Sequence, residues 1–166
     1  MNRHKVFRAI PDLCTGCWEC QMVCSLVKTS TVNPSLSRIR VVRSYEDGSC
    51  APIICRHCTV PLCQQACPVP EAMRMDDNTG AVSIDDDNCI GCLVCVEACP
   101  FHAIWVGPSK QVLKCDLCGG EPACVKYCPQ RPDHQFPSLP YPRASALEYV
   151  EPHRITRKDT TSTKDV

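Results

Sequence analysis

Sixteen of the seventeen cysteines in this 166-residue chain recur in four quartets of closely related spacing. The third quartet reads C-x2-C-x2-C-x3-C-P and runs from Cys89 to Cys99, followed by Pro100. Thiolates at this spacing let a tight loop hold three corners of a [4Fe–4S] cube, while the fourth cysteine ligates a different cube. The proline then fixes the direction in which the chain leaves the loop. The cysteines therefore predict iron–sulfur chemistry.

The four quartets are variations of one metal-binding unit. All of them end in C-x3-C, and three continue directly into proline. The second and fourth are stretched between their second and third cysteines, to x4 and x5. The quartets are Cys14, Cys17, Cys20 and Cys24; Cys55, Cys58, Cys63 and Cys67; Cys89, Cys92, Cys95 and Cys99; and Cys115, Cys118, Cys124 and Cys128. Four complete quartets with no substrate-binding constellation predict four [4Fe–4S] clusters and a non-catalytic, one-electron relay.

Other uses of the cysteines fit the spacing less well. Structural zinc sites use two C-x2-C pairs roughly fifteen to twenty residues apart, or mix cysteine with histidine. A disulfide scaffold is disfavoured because the cysteine count is odd and the first residues show no secretory apolar region. We therefore expect a reducing, cytoplasmic location. A radical-type cluster needs C-x3-C-x2-C, and its third cysteine is replaced in the four quartets by Val27, Pro70, His102 and Arg131.

Charge and composition exclude two further classes of protein. Eighteen acidic and eighteen basic residues balance, whereas a nucleic-acid-binding module normally carries a basic excess. No apolar stretch reaches the length of a membrane span, so we expect no direct membrane insertion. Aromatic residues make up only 5% of the chain, so its apolar core must be thin. Small chains with thin cores usually need metal or cross-links for stability.

The elements that position the quartets are expected to be short. Strand, cysteine loop, short helix and strand recur along the chain, which predicts an α+β, ferredoxin-like fold with many loops. A helix over 18–27 would place Cys20 and Cys24 on one face. Five prolines from Pro129 to Pro142 predict an extended surface ribbon. Predicted strands cover 4–10, 37–45, 51–54, 72–75, 81–84, 104–106 and 112–114, with a helix over 61–66, one more element over 144–150 and disorder over 160–166.

The four-quartet layout resembles a known family of iron–sulfur subunits. Because each fourth cysteine belongs to another cluster, the quartets must exchange in pairs, and spacing alone leaves three pairings open. The x4 of the second quartet and the stretched fourth resemble the subunits of the dimethyl-sulfoxide-reductase type. They also resemble the small four-cluster subunits that accompany hydrogenases, carbon monoxide dehydrogenases and tungsten aldehyde oxidoreductases. The resemblance covers roughly residues 5–130, and the compact length and Cys24-Ser25 are most like the aldehyde-oxidoreductase companions.

The resemblance implies how the quartets exchange, because in that family the outer two exchange with each other and so do the inner two. It implies two interlocked ferredoxin-like modules within residues 1–145, an inner one over about 50–108 and an outer one from 1–49 and 109–145, with 146–166 as a tail. The implied ligand sets are group 1 (Cys14, Cys17, Cys20, Cys128), group 2 (Cys55, Cys58, Cys63, Cys99), group 3 (Cys67, Cys89, Cys92, Cys95) and group 4 (Cys24, Cys115, Cys118, Cys124).

The resemblance also implies a role and partners. The chain would pass single electrons between a catalytic subunit with tungsten or molybdenum, of the aldehyde-oxidoreductase type, and a flavin subunit or a ferredoxin. A free-standing or self-associating polyferredoxin stays open as an alternative, and so does a zinc-based interaction module. Cys50 lies outside the quartets and is expected to be a buried free thiol. The polar stretch from Gln130 to Pro142 departs from the family and leaves the last strand and the local partner surface open.

Overall fold

The computed structural model describes residues 4–129 and 145–151, which form an α+β fold of short elements. The predicted class is confirmed to that extent. The helices are α1 (Glu19–Thr29), α2 (Leu62–Gln65), α3 (Val94–Glu97) and α4 (Ala123–Lys126). The strands are β1 (Val6–Ala9), β2 (Arg40–Arg43), β3 (Cys50–Ile53), β4 (Met73–Met75), β5 (Val82–Ile84), β6 (Ile104–Val106), β7 (Val112–Lys114) and β8 (Leu147–Val150). Short 3-10 turns lie at Pro11–Leu13, Pro34–Leu36, Pro70–Ala72 and Leu117–Gly120.

Four two-stranded antiparallel sheets separate the cysteine quartets. Three of them, β2–β3, β4–β5 and β6–β7, occupy the three intervals between successive quartets. The fourth pairs β1, which precedes the first quartet, with β8, which follows the last one. Arg8 lies opposite Glu148 in this pair, and its Nε donates to Glu148 Oε2 at 2.6 Å. The β1–β8 sheet therefore brings the first and fourth quartets together.

Helix α1 carries two ligand candidates on its buried face. It begins one residue later than predicted, because Trp18 adopts a left-handed conformation (φ 64°), and it ends at Thr29 before the left-handed Ser30. Lys28 lies in its last turn, where a cation interacts favourably with the helix dipole. The buried face consists of Cys20, Gln21, Cys24 and Ser25, as the spacing of three and four predicts.

The strands differ from the predicted ranges at their ends, and local hydrogen bonds explain two of the differences. Ser37 Oγ donates to Ile39 O and accepts from Ile39 N–H, and the chain bends at residues 38 and 39, so β2 begins only at Arg40. Residues 70–72 form a 3-10 turn, so β4 begins at Met73. The β6 and β7 predictions are confirmed, and the further element near 150 is β8.

Buried side chains form two core clusters in which cysteines are prominent. The first centres on Phe7, Leu117 and Leu147, and the second on Met73 and Val82. The Cys115 side chain packs against both clusters and so lies at their junction. The proposed module boundary at 108/109 falls within the β6–β7 hairpin. The predicted ribbon over 130–142 and the predicted disorder over 160–166 lie outside the described residues.

No helix among the described residues is long and apolar enough to span a membrane.

Candidate iron–sulfur sites

Four cavities in the described part of the chain are each lined by four cysteines. Every cavity takes three cysteines from one quartet and the fourth from another quartet. The first is lined by Cys14, Cys17, Cys20 and Cys128; the second by Cys55, Cys58, Cys63 and Cys99; the third by Cys67, Cys89, Cys92 and Cys95; and the fourth by Cys24, Cys115, Cys118 and Cys124. The structure thus brings together the cysteines of each ligand group set out above.

The four cysteine loops share one backbone feature. The residue before the second cysteine of each quartet has a positive φ: Gly16 (70°), His57 (45°), Gly91 (67°) and Leu117 (57°). Left-handed residues within tight turns point successive N–H groups inward and create concave anion-binding sites of the kind found around iron–sulfur clusters. At Gly16 a side chain is also excluded sterically, since a Cβ there would lie 2.5 Å from Cys50 Sγ. These loops suit an anionic group in each cavity.

Backbone amides also donate to the cysteines that leave their loops. Arg38 N–H donates to Cys24 Sγ at 3.3 Å, and Ala103 N–H donates to Cys99 Sγ at 3.4 Å. Both sulfurs belong to the C-x3-C ends, which reach the cavity of another quartet. Hydrogen bonds to sulfur stabilise the thiolate and raise the potential of a bound cluster.

The thiols resist ionisation unless a cation joins them. Burial and, to a smaller extent, the charges of Cys17, Cys14 and Cys128 in the same group raise the pKa of Cys20 to about 12. Burial likewise raises the pKa of Cys115 to about 12. Four thiolates around one cavity would repel each other, so a bound metal must supply the positive charge that displaces their protons. The donor set therefore fits a [4Fe–4S] cluster, whose irons carry that charge.

Interactions between groups show that the four cavities form a row. Cys124 of group 4 interacts electrostatically with Cys20 of group 1. Cys115 of group 4 interacts with Cys55 of group 2. Cys95 of group 3 interacts with Cys63 of group 2. The order of the cavities along the molecule is therefore group 1, group 4, group 2 and group 3.

Only the two ends of this row have a cysteine that is exposed to solvent. All seventeen cysteines lie in the described residues, and just Cys17 and Cys92 are exposed. Cys17 belongs to group 1, and its neighbour Trp18 is 47% exposed. Cys92 belongs to group 3, and Ile90, two residues earlier in the same loop and lining the same cavity, is 68% exposed. The two inner cavities, in contrast, are lined only by cysteines that are buried or half-buried.

The cavity of group 4 contains a network of charges. Asp116 Oδ2 accepts from Lys28 Nζ at 2.7 Å and from Arg38 Nη1 at 2.9 Å, while its Oδ1 accepts from Cys118 N–H at 3.0 Å. Burial alone would raise the pKa of Asp116, but these hydrogen bonds and the charges of Lys28 and Arg38 hold that pKa below its ordinary value. The carboxylate thus neutralises part of the positive charge beside this group.

The cavity of group 2 contains two polar side chains that sequence reasoning did not single out as functional. Lys114 is 3% exposed, and its Nζ lies 3.4 Å from Cys55 Sγ. Burial and the charge of Lys114 lower the pKa of His57 to about 3, so this imidazole is neutral. The sequence carried one signal for the lysine, since period-two alternation in β7 puts Lys114 on the same face as Val112, which is buried.

Cys50 does not line any of the four cavities. It begins β3, is half-buried rather than buried, and contacts the loop of the first quartet at Gly16. Among the described residues, no three His, Cys, Asp or Glu side chains form a site for a single metal ion.

Comparison with known proteins identifies the family. Residues 47–133 match the 4Fe-4S dicluster domain, and residues 11–29 match a 4Fe-4S binding domain. The chain belongs to the 4Fe-4S dicluster domain family. The prediction of iron–sulfur chemistry from the cysteine spacing is thereby confirmed, and the chain is a ferredoxin-like electron-transport protein of the oxidoreductase-subunit type. The number of clusters and the narrower dimethyl-sulfoxide-reductase resemblance stay predictions.

Curated relatives of the chain include subunits of oxidoreductases. The aliphatic sulfonate oxidoreductase polyferredoxin-like subunit of Pyrococcus furiosus is 41% identical over 119 residues, which cover 71% of this chain and 68% of that protein. The thiosulfate reductase electron transfer subunit PhsB of Salmonella typhi is 36% identical, with 70% and 67% covered. The NADH-dependent phenylglyoxylate dehydrogenase subunit beta of Aromatoleum evansii is 34% identical, and the chain spans 27% of its length.

Among solved structures, the active site complex BamBC of benzoyl coenzyme A reductase with 1,5-dienoyl-CoA matches with a TM-score of 0.49 and 25% identity, covering all of this chain and 85% of the matched chain.

Proposed function

We propose that this 4Fe-4S dicluster-family protein holds four [4Fe–4S] clusters, one in each cysteine group, and transfers single electrons between two other redox proteins. A bound [4Fe–4S] cluster supplies reversible one-electron chemistry at a potential set by charge, hydrogen bonds and solvent exposure. The contribution of the polypeptide is to hold the groups in a fixed order, keep every cysteine of the inner two buried or half-buried, and donate hydrogen bonds to their sulfurs.

The observation that carries this proposal is the row of cavities with an exposed cysteine at each end. A storage protein or a single-partner donor needs one accessible site, whereas a relay needs two accessible sites that lie apart. Cys17 and Cys92 belong to the first and last groups of the row, and the row passes through Cys115 at the junction of the two core clusters. The same arrangement supports the two interlocked modules, because groups 1 and 4 share the outer quartets and groups 2 and 3 share the inner ones.

We propose a catalytic oxidoreductase subunit at one end and a flavin subunit or a ferredoxin at the other. The names of the relatives support a place in an oxidoreductase complex. A tungsten or molybdenum enzyme, of the aldehyde-oxidoreductase type, is the partner that the quartet layout favours. Trp18 and Ile90 are the exposed apolar side chains next to the two exposed cysteines, and they are the contacts we expect each partner to cover.

Anaerobic affinity purification of the full chain from its native cells tests this function. We expect it to retain a subunit that contains tungsten or molybdenum, and a flavoprotein or ferredoxin, as measured by metal analysis and flavin fluorescence. Trp18→Glu and Ile90→Glu should each weaken the retention of a different partner at least tenfold, because a charge buried in an apolar contact is costly. Val32→Glu, at a 56% exposed position outside the four cavities, is the matched control.

The outcomes separate the alternatives. Purification as a self-associated, iron-loaded chain without a second redox protein would favour a free-standing polyferredoxin. Retention of one partner only, lost equally in both end variants, would contradict a relay between two surfaces. A chain loaded with zinc would replace the proposal with an interaction module.

A further inference from the structure

Lys114 is a buried cation without a buried counter-ion. Its side chain comes from β7 and is 3% exposed, and no Asp or Glu in the described residues lies within ion-pair distance of its Nζ. The Nζ contacts Cys55 Sγ at 3.4 Å and donates to Val82 O. A buried charge is strongly unfavourable unless an opposite charge compensates it. The cavity of group 2 therefore suits an anionic occupant.

His57 offers a second donor at the same cavity. Its Nδ1 accepts from Val82 N–H at 3.1 Å, so the ring proton of the neutral imidazole is on Nε2. Nε2 is buried and has no hydrogen-bond partner among the protein atoms of the described residues. The N–H and C=O of Val82 thus fix both side chains, one for each backbone group. Both side chains line the cavity with Cys55 and Cys58.

The other three cavities lack a comparable donor pair in the described residues. Beside group 4, the cations Lys28 and Arg38 share the carboxylate of Asp116. The residues that line the cavity of group 3, apart from its cysteines, are apolar. Apart from its cysteines, the cavity of group 1 is lined by apolar residues, Thr15 and Trp18, none of which is charged. A net positive charge also remains beside group 4, but among the described residues a cation that is 3% exposed and has no carboxylate partner lies only beside group 2.

We propose that Lys114, assisted by His57, makes the cluster of group 2 the most easily reduced of the four. Reduction adds one negative charge to the cluster, and a cation held in the low-dielectric interior favours the more negative state. This inference rests on the proposed function, since it assumes that each group holds a cluster. It adds that the row has an interior electron-holding site, one position inward from the Cys92 end, which keeps the transferred electron away from solvent. Lys114 is then a positioning and tuning residue and not a ligand.

Potentiometric titration of the anaerobic protein, followed by electron paramagnetic resonance, tests this role. Lys114→Met keeps most of the length of the side chain but removes the charge. We expect the group 2 centre to become harder to reduce by at least a factor of ten in its reduction equilibrium, or about 59 mV for one electron. Lys114→Arg should retain most of the wild-type potential. The group 2 centre is identified as the one that Cys58→Ser perturbs. Lys110→Met, an exposed lysine on the β6–β7 turn, is the matched control and should leave all potentials unchanged.

The outcomes distinguish a failure of the proposed role of Lys114 from a failure of the proposed function. Wild-type protein without iron would end the proposed function itself. Four clusters with unchanged potentials in Lys114→Met, or a shift of another centre, would overturn only the role of Lys114. If Lys114→Met assembles fewer clusters, Lys114→Gln restores a donor for Val82 O without the charge and should show the same shift. If both uncharged variants lose only the group 2 cluster and Lys114→Arg retains it, the result also supports the interaction of Lys114 with that cluster. Equal loss in all three variants contradicts it.

Discussion

Replacing Cys24 by serine is expected to destroy or damage the cluster of group 4 and to leave that of group 1 largely intact. Cys24 belongs to the first quartet, but its side chain lines the cavity of Cys115, Cys118 and Cys124. Helix α1 presents Cys20 and Cys24 on one buried face, and the two sulfurs enter different cavities. We expect iron to fall from about sixteen to about twelve atoms per chain, four per lost cube. Group 4 is interior to the row, so electron transfer between the ends should fall by at least the 10- to 100-fold seen when metal sites lose supporting residues.

Cys20→Ser is the matched control, one helical turn earlier on the same face. It should damage the cluster of group 1 and leave that of group 4. Iron determination together with the electron paramagnetic resonance spectra of the two reduced variants distinguishes the two losses. Spectra in which Cys24→Ser removes the group 1 centre, or in which both variants remove the same centre, would contradict the exchange of cysteines between quartets.

Removing the iron is expected to unfold most of the chain. The largest fully buried apolar side chains are Met73, Leu117, Leu147 and Val82, and each core cluster includes three buried cysteines. Helices α2, α3 and α4 have four residues each and cannot be stable alone. Metal binding in small sites of this kind contributes on the order of 10 kcal/mol to folding, more than the total stability of many domains.

Circular dichroism and amide hydrogen exchange of the chelated, reduced chain measure this loss. We expect no cooperative thermal transition and little amide protection, with both recovered after reconstitution with iron and sulfide. Cys50→Ala is the control, because Cys50 lies outside the four cavities and its replacement should leave the iron content unchanged. An iron-free chain that still unfolds cooperatively, with protected amides in β6 and β7, would show that the polypeptide folds without metal.

The fold class and the main elements followed from local sequence signals. The recurring cysteine spacing indicated the sites, and the runs around Ile104–Val106 and Val112–Lys114 gave strands with the correct bounds. The predicted start of β2 was wrong because the Ser37 hydroxyl hydrogen-bonds to the backbone of Ile39. Such local hydrogen bonds compete with strand pairing and produce no periodic pattern in the sequence. The left-handed Trp18 moved the start of α1 by one residue, since an αL conformation is uncommon for aromatic residues.

The order of the cavities could not be predicted, because it depends on how distant segments pack. The contact of Cys115 with both core clusters arises from the junction of the β6–β7 hairpin with the last quartet. Lys114 was likewise assigned only to a strand that precedes the fourth quartet. The role of Lys114 depends on its contacts with Val82 and Cys55, which are 32 and 59 residues away in the chain. Long-range contacts of this kind determine which cysteine sulfur lies beside a cation, and they cannot be predicted from the spacing of residues along the chain.

The metal and sulfide content of anaerobically purified protein tests the central claim most directly. The claim is that the cysteine groups enclose inorganic iron–sulfur cubes, which the chain holds in a row. We expect about sixteen iron and about sixteen acid-labile sulfide per chain, and a brown absorbance that dithionite bleaches. A colourless protein with stoichiometric zinc, or one whose cysteines are paired as disulfides, would contradict the account.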